Sequence, residues 1–221
     1  ELLVTLTESA PALARRCPAL IQNLVPIAMS IMTDLDDTDT EWSAEKYTVE
    51  SNDDNYFVGE EAIERAAAGL GGKSSAQPIM EAVNTYYARA EPESRRAAVA
   101  AMHRLAEGAP KFFKIHLPSA VEMLRLAVND VSPRVQYEAI QMVGRLGSLY
   151  PGKIEDIINT FMQVLSHRLA DPAVCDKVRG HAASALINII NPESCQTDVL
   201  EPHLPELLNS LCVCLQGAPL E

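Results

Sequence analysis

DVSPRVQYEAIQMVGRLGSLYP, residues 130–151, decides the fold. It reads as one helix with its own start and stop signals. Asp130 or Ser132 supplies an N-cap, and Pro133 suits the first helical turn, where a missing N–H costs nothing. Val135, Ala139, Met142, Val143 and Leu146 recur at helical spacing and make one apolar face. Gly147 and Pro151 end the helix. Ala139 is a small residue within the stripe, a place where a second helix comes close.

The same pattern occurs twice more. In EPESRRAAVAAMHRLAEGAP (91–110), Ala98, Ala101, Met102 and Leu105 stand where the first copy has Ala139, Met142, Val143 and Leu146. In DPAVCDKVRGHAASALINIINP (171–192), Val178, Ala182, Ala185, Leu186 and Ile189 keep the register. The closing prolines fall at 110, 151 and 192, so both steps are 41 residues. A period of ~40–47 built from paired helices is the signature of HEAT or armadillo arrays. The expected fold is therefore all-α: a right-handed α-solenoid of HEAT repeats, antiparallel helix pairs stacked side by side, with about four and a half repeats in the chain.

Composition sets bounds on function. The chain is 48% hydrophobic but only 5% aromatic, which suits close packing of Ala- and Leu-rich helices. Its net charge is −12. That excludes nucleic acid as a direct partner, since phosphate binding needs clustered Lys and Arg. It favours a basic peptide or a basic protein face. The five cysteines, Cys17, Cys175, Cys195, Cys212 and Cys214, are odd in number and scattered, as in a reducing compartment. No apolar run of ~18 residues is present, so no membrane span is expected. The chain begins at Glu1, in what reads as mid-helix, and looks like an excerpt.

Taken in order, residues 1–11 read as the end of a second ("B") helix, and 12–73 as a repeat whose first ("A") helix is CPALIQNLVPIAMSIMT (17–33), kinked or begun by Pro26. The pattern then breaks over 34–58, which carries no helical stripe and is rich in acid. Counting agrees: Pro11 to Pro110 is 99 residues, about 17 more than two repeats require. Regular repeats follow at 74–110, 111–151 and 152–192, and 193–221 holds an A helix without its partner. Both ends of such an array expose apolar surface that neighbouring repeats would cover.

At the break the sequence resembles a known family. MTDLDDTDTEW (32–42), GEEAIERAAAGLGGK (59–73), SPRVQYEAIQMVGRLG (132–147) and HAASALINI (181–189) are similar, in this order, to segments of the importin-β (karyopherin-β) family, closest to its importin-5 branch. The resemblance implies a nuclear transport receptor. Cargo proteins with basic signals would lie on the concave B-helix face, the GTP form of Ran would release them, and Phe-Gly nucleoporins would dock between outer A helices. The protein would shuttle between cytoplasm and nucleus. In such receptors an acidic loop meets basic parts of Ran or cargo, which here implies Asp34, Asp36, Asp37, Asp39, Glu41 and Trp42. The rest of this loop departs from the branch's more continuous acid, with Lys46, Tyr47, Thr48 and Val49 interrupting it. A HEAT scaffold of another class, such as a phosphatase regulatory subunit, is the alternative.

Other motifs carry less. Five carboxylates within residues 34–41 make a negative potential that speeds encounter with a basic surface, or simply a solvated loop. As a calcium loop the run fails, because Asp39 stands where the turn needs Gly. GLGGKS (69–74) lacks the first Gly of a phosphate loop and reads as a helix stop and a close helix approach. Neither the cysteines nor the histidines keep zinc spacing, and no nucleophile–base set is recognisable, so no catalytic, metal or cofactor residue is expected. On the B helices, the positions opposite the stripe are candidates for cargo contact: Arg95, Arg96 and His103; Tyr137, Gln141 and Arg145; Ser184, Asn188 and Asn191.

Overall fold

Helix follows helix along the chain. The computed structural model describes residues 1–35, 37–44, 55–191 and 197–217. The α-helices are, in order, α1 (Leu2–Ser9), α2 (Pro11–Ala14), α3 (Pro18–Met32), α4 (Asp39–Ala44), α5 (Asn55–Leu70), α6 (Gly72–Tyr87), α7 (Pro92–Gly108), α8 (Pro110–Phe113), α9 (Leu117–Ala127), α10 (Pro133–Leu149), α11 (Ile154–Ala170), α12 (Asp176–Ile189), α13 (Thr197–Leu200) and α14 (Leu204–Gly217). Two 3₁₀ turns, Pro151–Lys153 and Glu201–His203, precede α11 and α14. No strand occurs among the described residues.

The chain forms two compact units. The first holds α1–α3, α5–α8 and the start of α9 up to Met123; the second holds α4, the rest of α9 and α10–α14. In the first unit, α6 and α7 pack on one another across a connection of a few residues, which forces them antiparallel. α3 packs on α5, and α1, α5 and α7 stack in series. In the second unit, α11 pairs with α12, α10 lies along α12, and α14 lies along α11.

The stripe that the periodicity marks is the core. Val135, Ala139, Met142, Val143 and Leu146 are buried, as are Ala98, Ala101, Met102 and Leu105, and Val178, Ala182, Ala185, Leu186 and Ile189. Aliphatic and alanine side chains at every third or fourth position let the helices approach closely. Between α10 and α12 the backbones come close at Gly144, where an added Cβ would lie 2.9 Å from the Ala185 Cα.

Local signals differ from the expectations in four places. Ser132 occupies the N-cap of α10, yet no side chain caps the helix; Asp130 Oδ1 instead accepts the Ser132 N–H at 2.9 Å, closing a turn before it. Gly147 does not stop α10 but is buried within it, and the helix runs to Leu149. Pro26 neither begins α3 nor divides it; Pro18 takes the first-turn position. The break at 34–58 contains the six-residue helix α4, and α5 begins at Asn55. In GLGGK, α5 ends at Leu70 and α6 begins at Gly72, with Gly71 between them at φ +74°, a backbone region that favours glycine. Arg15 Nε donates to the Leu70 carbonyl at 2.7 Å and satisfies the end of α5.

Candidate functional site

The acidic segment starts as α3 ends. Asp34 is exposed and Asp37 half-buried. Asp36 lies outside the described residues. Asp39 and Glu41 then occupy the first turn of α4, where carboxylates complement the exposed N–H groups. Trp42 is the one buried residue of that helix, only 7% exposed. It belongs to the second unit together with the helices that receive it.

The receiving seam lies between α10 and α12. The Trp42 ring meets Tyr137 edge to face, with centroids 5.2 Å apart and planes at 88°. Tyr137 stacks on His181 at 3.9 Å. Lys177 Nζ lies 4.6 Å and Arg134 Cζ 5.4 Å from the centre of the Trp42 ring. Both distances are within reach of a cation–π attraction, which strengthens as water leaves. Asp39 Oδ1 stands 3.3 Å from Arg134 Nε. Arg134 and Lys177 are 5% and 3% exposed, so ring and carboxylate meet charges that water hardly reaches. Burial pushes the His181 imidazole down to about 4, so it is neutral beside these cations at ordinary pH.

The first unit has a seam of its own between α5 and α7. Glu60 is buried and shared by two arginines, with Oε1 2.8 Å from Arg96 Nη2 and Oε2 2.8 Å from Arg104 Nη2. Arg104 Nη1 reaches Glu107 at 3.0 Å, and His103 Nε2 lies 3.8 Å from the same carboxylate group. The Arg96 guanidinium also sits 4.1 Å above the Tyr56 ring. Each carboxylate oxygen of Glu60 accepts from a charged donor, so the desolvated charges are matched by strong bonds.

The cargo candidates divide by exposure. Arg145, Ser184, Asn188 and Asn191 are exposed, and Tyr137 and Gln141 are half-buried. Arg96 and His103 are buried in the Glu60 seam and offer no open surface. Sequence reasoning missed Arg134, Lys177 and Glu60. A signal for the first two existed: each directly precedes the first stripe valine of its copy, Val135 or Val178. Among the described residues, no group of three or more His, Cys, Asp or Glu could hold a metal ion, and no helix is long and apolar enough to cross a membrane.

Comparison with known proteins adds the following. Residues 1–77 match the importin repeat family. Importin subunit beta-3 of Saccharomyces cerevisiae (strain ATCC 204508 / S288c) is 30% identical over 231 residues, spanning 100% of this chain and 20% of that protein. The crystal structure of the karyopherin Kap121p bound to the SUMO protease Ulp1p is similar at a TM-score of 0.88 and 29% identity, over 99% of this chain and 21% of that one. Kap121p bound to RanGTP is similar at a TM-score of 0.88 and 30% identity, over 99% of this chain and 22% of that one. The fold class is thus the all-α HEAT solenoid of that karyopherin. The chain spans about a fifth of the length of these relatives.

Proposed function

Because this chain belongs to the importin-β (karyopherin-β) family, we propose that it serves as a cargo-binding segment of a nuclear import receptor, working by binding and not by chemistry. One observation carries the reading: the likeness to Kap121p extends over 99% of the chain, and that karyopherin has been crystallised with RanGTP. Basic cargo is drawn by the net charge of −12. Exposed Arg145, Ser184, Asn188 and Asn191 then contact it from the B helices, with Tyr137 and Gln141 beside them. The Asn amides offer both a donor and an acceptor, which suits an extended peptide backbone. Asp34, Asp36, Asp37 and Glu41 face a basic patch of Ran or of cargo, while Asp39 and Trp42 hold the acidic segment in place. Arg96 and His103, enclosed on α7, take part only by fixing that helix. Phe-Gly nucleoporins dock on the A helices, and the receptor shuttles between cytoplasm and nucleus. Release by Ran requires that Ran and cargo prefer different conformations of the array.

The test uses immobilised full-length protein and Ran in each nucleotide state. Ran loaded with GTP is expected to bind and to displace a basic cargo, and Ran loaded with GDP is not. Equal affinity for the two states would mean a HEAT scaffold of another class. Neutralising Asp34, Asp36, Asp37 and Asp39 together is expected to weaken binding of the basic partner and flatten its salt dependence. An unchanged affinity at low salt would remove the acidic segment from the binding face.

A further inference from the structure

Three corners of the first unit run against the charge of the chain. They are the turn from α1 through α2 into α3, the turn from α5 into α6, and the turn from α7 through α8 into α9. Residues 9–33, 66–80 and 108–121 contain no Asp or Glu, although the net charge is −12. Their cations are Arg15, Arg16, Lys73, Lys111 and Lys114, all exposed. Arg15 gives its guanidinium to two neutral acceptors, the Leu70 and Gly69 carbonyls, at 2.7 and 3.3 Å. Carboxylates that flank these stretches are engaged elsewhere: Glu8 by Arg65 at 2.7 Å, and Glu64 and Glu107 by Arg104 at 3.7 and 3.0 Å. Glu81 and Glu122 stand eight residues beyond Lys73 and Lys114, further along α6 and α9.

Packing joins the three corners into one edge. Arg15 ties the end of α2 to the end of α5. Gly72 then opens α6 directly against α8, where an added Cβ would lie 2.4 Å from the Phe112 Cβ. Apolar side chains stand in water among the cations: Leu13, Phe112 and Ile115, the last 77% exposed. A cavity of about 250 Å³ opens between α3 and α6, walled by Ala14, Arg15, Pro18, Ile21, Leu70 and Pro78. No side chain caps the first turn of either helix, so their backbone N–H groups add to the positive potential beside it.

A basic peptide is repelled by this edge. A phosphate polymer answers the cations but has nothing for Leu13, Ile115 or the cavity. A run of carboxylates interrupted by aliphatic residues answers both. We propose that Arg15, Arg16, Lys73, Lys111 and Lys114 form a docking edge for an acidic segment of a partner protein, with its carboxylates on these cations and one aliphatic side chain in the α3–α6 cavity. Such a partner is chemically distinct from basic cargo and from Phe-Gly segments. The proposal stands on this charge pattern and cavity and is independent of the transport reading.

The test titrates the whole 221-residue chain into a fluorescent peptide of Glu and Asp carrying two Leu residues, read by anisotropy. Wild type is expected to bind it, and less tightly as salt rises. Lys73→Glu, Lys111→Glu and Lys114→Glu together are expected to weaken binding at least about tenfold, with helicity by circular dichroism unchanged. Lys153→Glu, at a lysine of the second unit already paired with Asp156, is expected to leave binding as it is. A peptide with Ser in place of Leu is expected to bind at least about threefold less tightly. Should the triple variant lose helicity, Lys73→Glu alone decides, with an expected loss of about threefold at low salt. Absence of binding at low salt overturns the proposal, as does a triple variant that binds like wild type. Equal losses from Lys153→Glu, or an undiminished Ser peptide, overturn it too, because diffuse charge then suffices. Displacement of the peptide by phosphatidylserine vesicles or by an oligonucleotide at lower concentration assigns the edge to a membrane or a nucleic acid instead. Self-association of the chain that the same reversals remove assigns it to a second copy, and the proposal falls.

Discussion

The two units bury their cations in contrasting ways. Between α5 and α7, one carboxylate, Glu60, is held by Arg96 and Arg104, so charge is answered by charge at 2.8 Å on each side. Between α10 and α12, Arg134 and Lys177 lie against the ring of Trp42, and Asp39 Oδ1 stands 3.3 Å from Arg134 Nε. Both seams take an aromatic from the stretch that interrupts the repeats, Tyr56 over Arg96 and Trp42 between the other pair. The difference lies in what happens when the cover is removed. A buried charge that loses its counter-ion is stranded in a medium that cannot solvate it. A cation that loses a ring from a short helix meets water instead.

Glu60→Ala tests the harsher half of that contrast and carries the largest expected effect. It leaves Arg96, itself enclosed, without its carboxylate, and breaking one side of a buried pair costs about 3–5 kcal/mol. Urea denaturation of the chain should show an early transition belonging to the first unit. A midpoint close to wild type would mean that the seam is wet and that its ion pairs contribute little.

Ala139→Phe probes the apolar stripe of α10 in the second unit. Ala139 is fully enclosed on α10. A phenyl ring has no space there, and overpacking of this kind costs about 1–3 kcal/mol. The urea midpoint of the second unit should fall while that of the first stays. A variant that melts like wild type would show that Ala139 does not face a helix.

The pattern of enclosed residues was legible because every third or fourth position on three segments is apolar, and burial follows that spacing from Val135 to Leu146. Prolines mark boundaries for an equally local reason: Pro110 and Pro151 each stand at the first position of the turn that follows. The seams were not legible. Periodicity assigns Arg96, His103 and Tyr137 to the side away from the stripe, and it contains nothing about a further element covering that side. Trp42 looked like part of a solvated acidic run because its partners, Tyr137 and Lys177, are far along the chain. Only the shared register of Arg134 and Lys177, one residue before the first stripe valine of each copy, hinted that two cations would meet; the copy at 91–110 has Glu93 at that position.

Trp42→Ala sharpens the comparison from the milder side. Removing a fully enclosed Trp costs about 3–5 kcal/mol when the surroundings cannot relax. Here α4 has no other buried side chain, so the whole helix can leave as one local unit and the two cations become hydrated. The expected loss is about 1 kcal/mol, well below that of Glu60→Ala, measured by urea denaturation followed by circular dichroism. A loss as large as Glu60→Ala would erase the distinction between the seams and make Trp42 a structural core residue.

The smallest expected effect is set by His181, which distinguishes the seams by pH. Its imidazole is pushed down to about 4 by burial, below the ~6.5 of an unfolded chain. Between those values the unfolded chain holds the extra proton, so unfolding takes up protons and stability falls as pH falls. The stability that the neutral ring contributes is fully present above pH ~6.5 and is lost progressively as pH drops toward 4. Because the ring is half-buried and partly screened by solvent, the loss between pH 7 and 5 is expected to stay under about 1 kcal/mol. Protonation would also place a third cation beside Tyr137, near Lys177 and Arg134, and so works against docking of Trp42 from the same direction. His181→Gln removes the titration while keeping a polar side chain. The difference between wild type and this variant in the second unit's melting temperature should therefore shift against wild type from pH 7 to pH 5. In the first unit the two chains should follow the same pH dependence. A difference that is flat with pH would mean that His181 is as open to water in the folded chain as in the unfolded one, and that the aromatic seam is not dry.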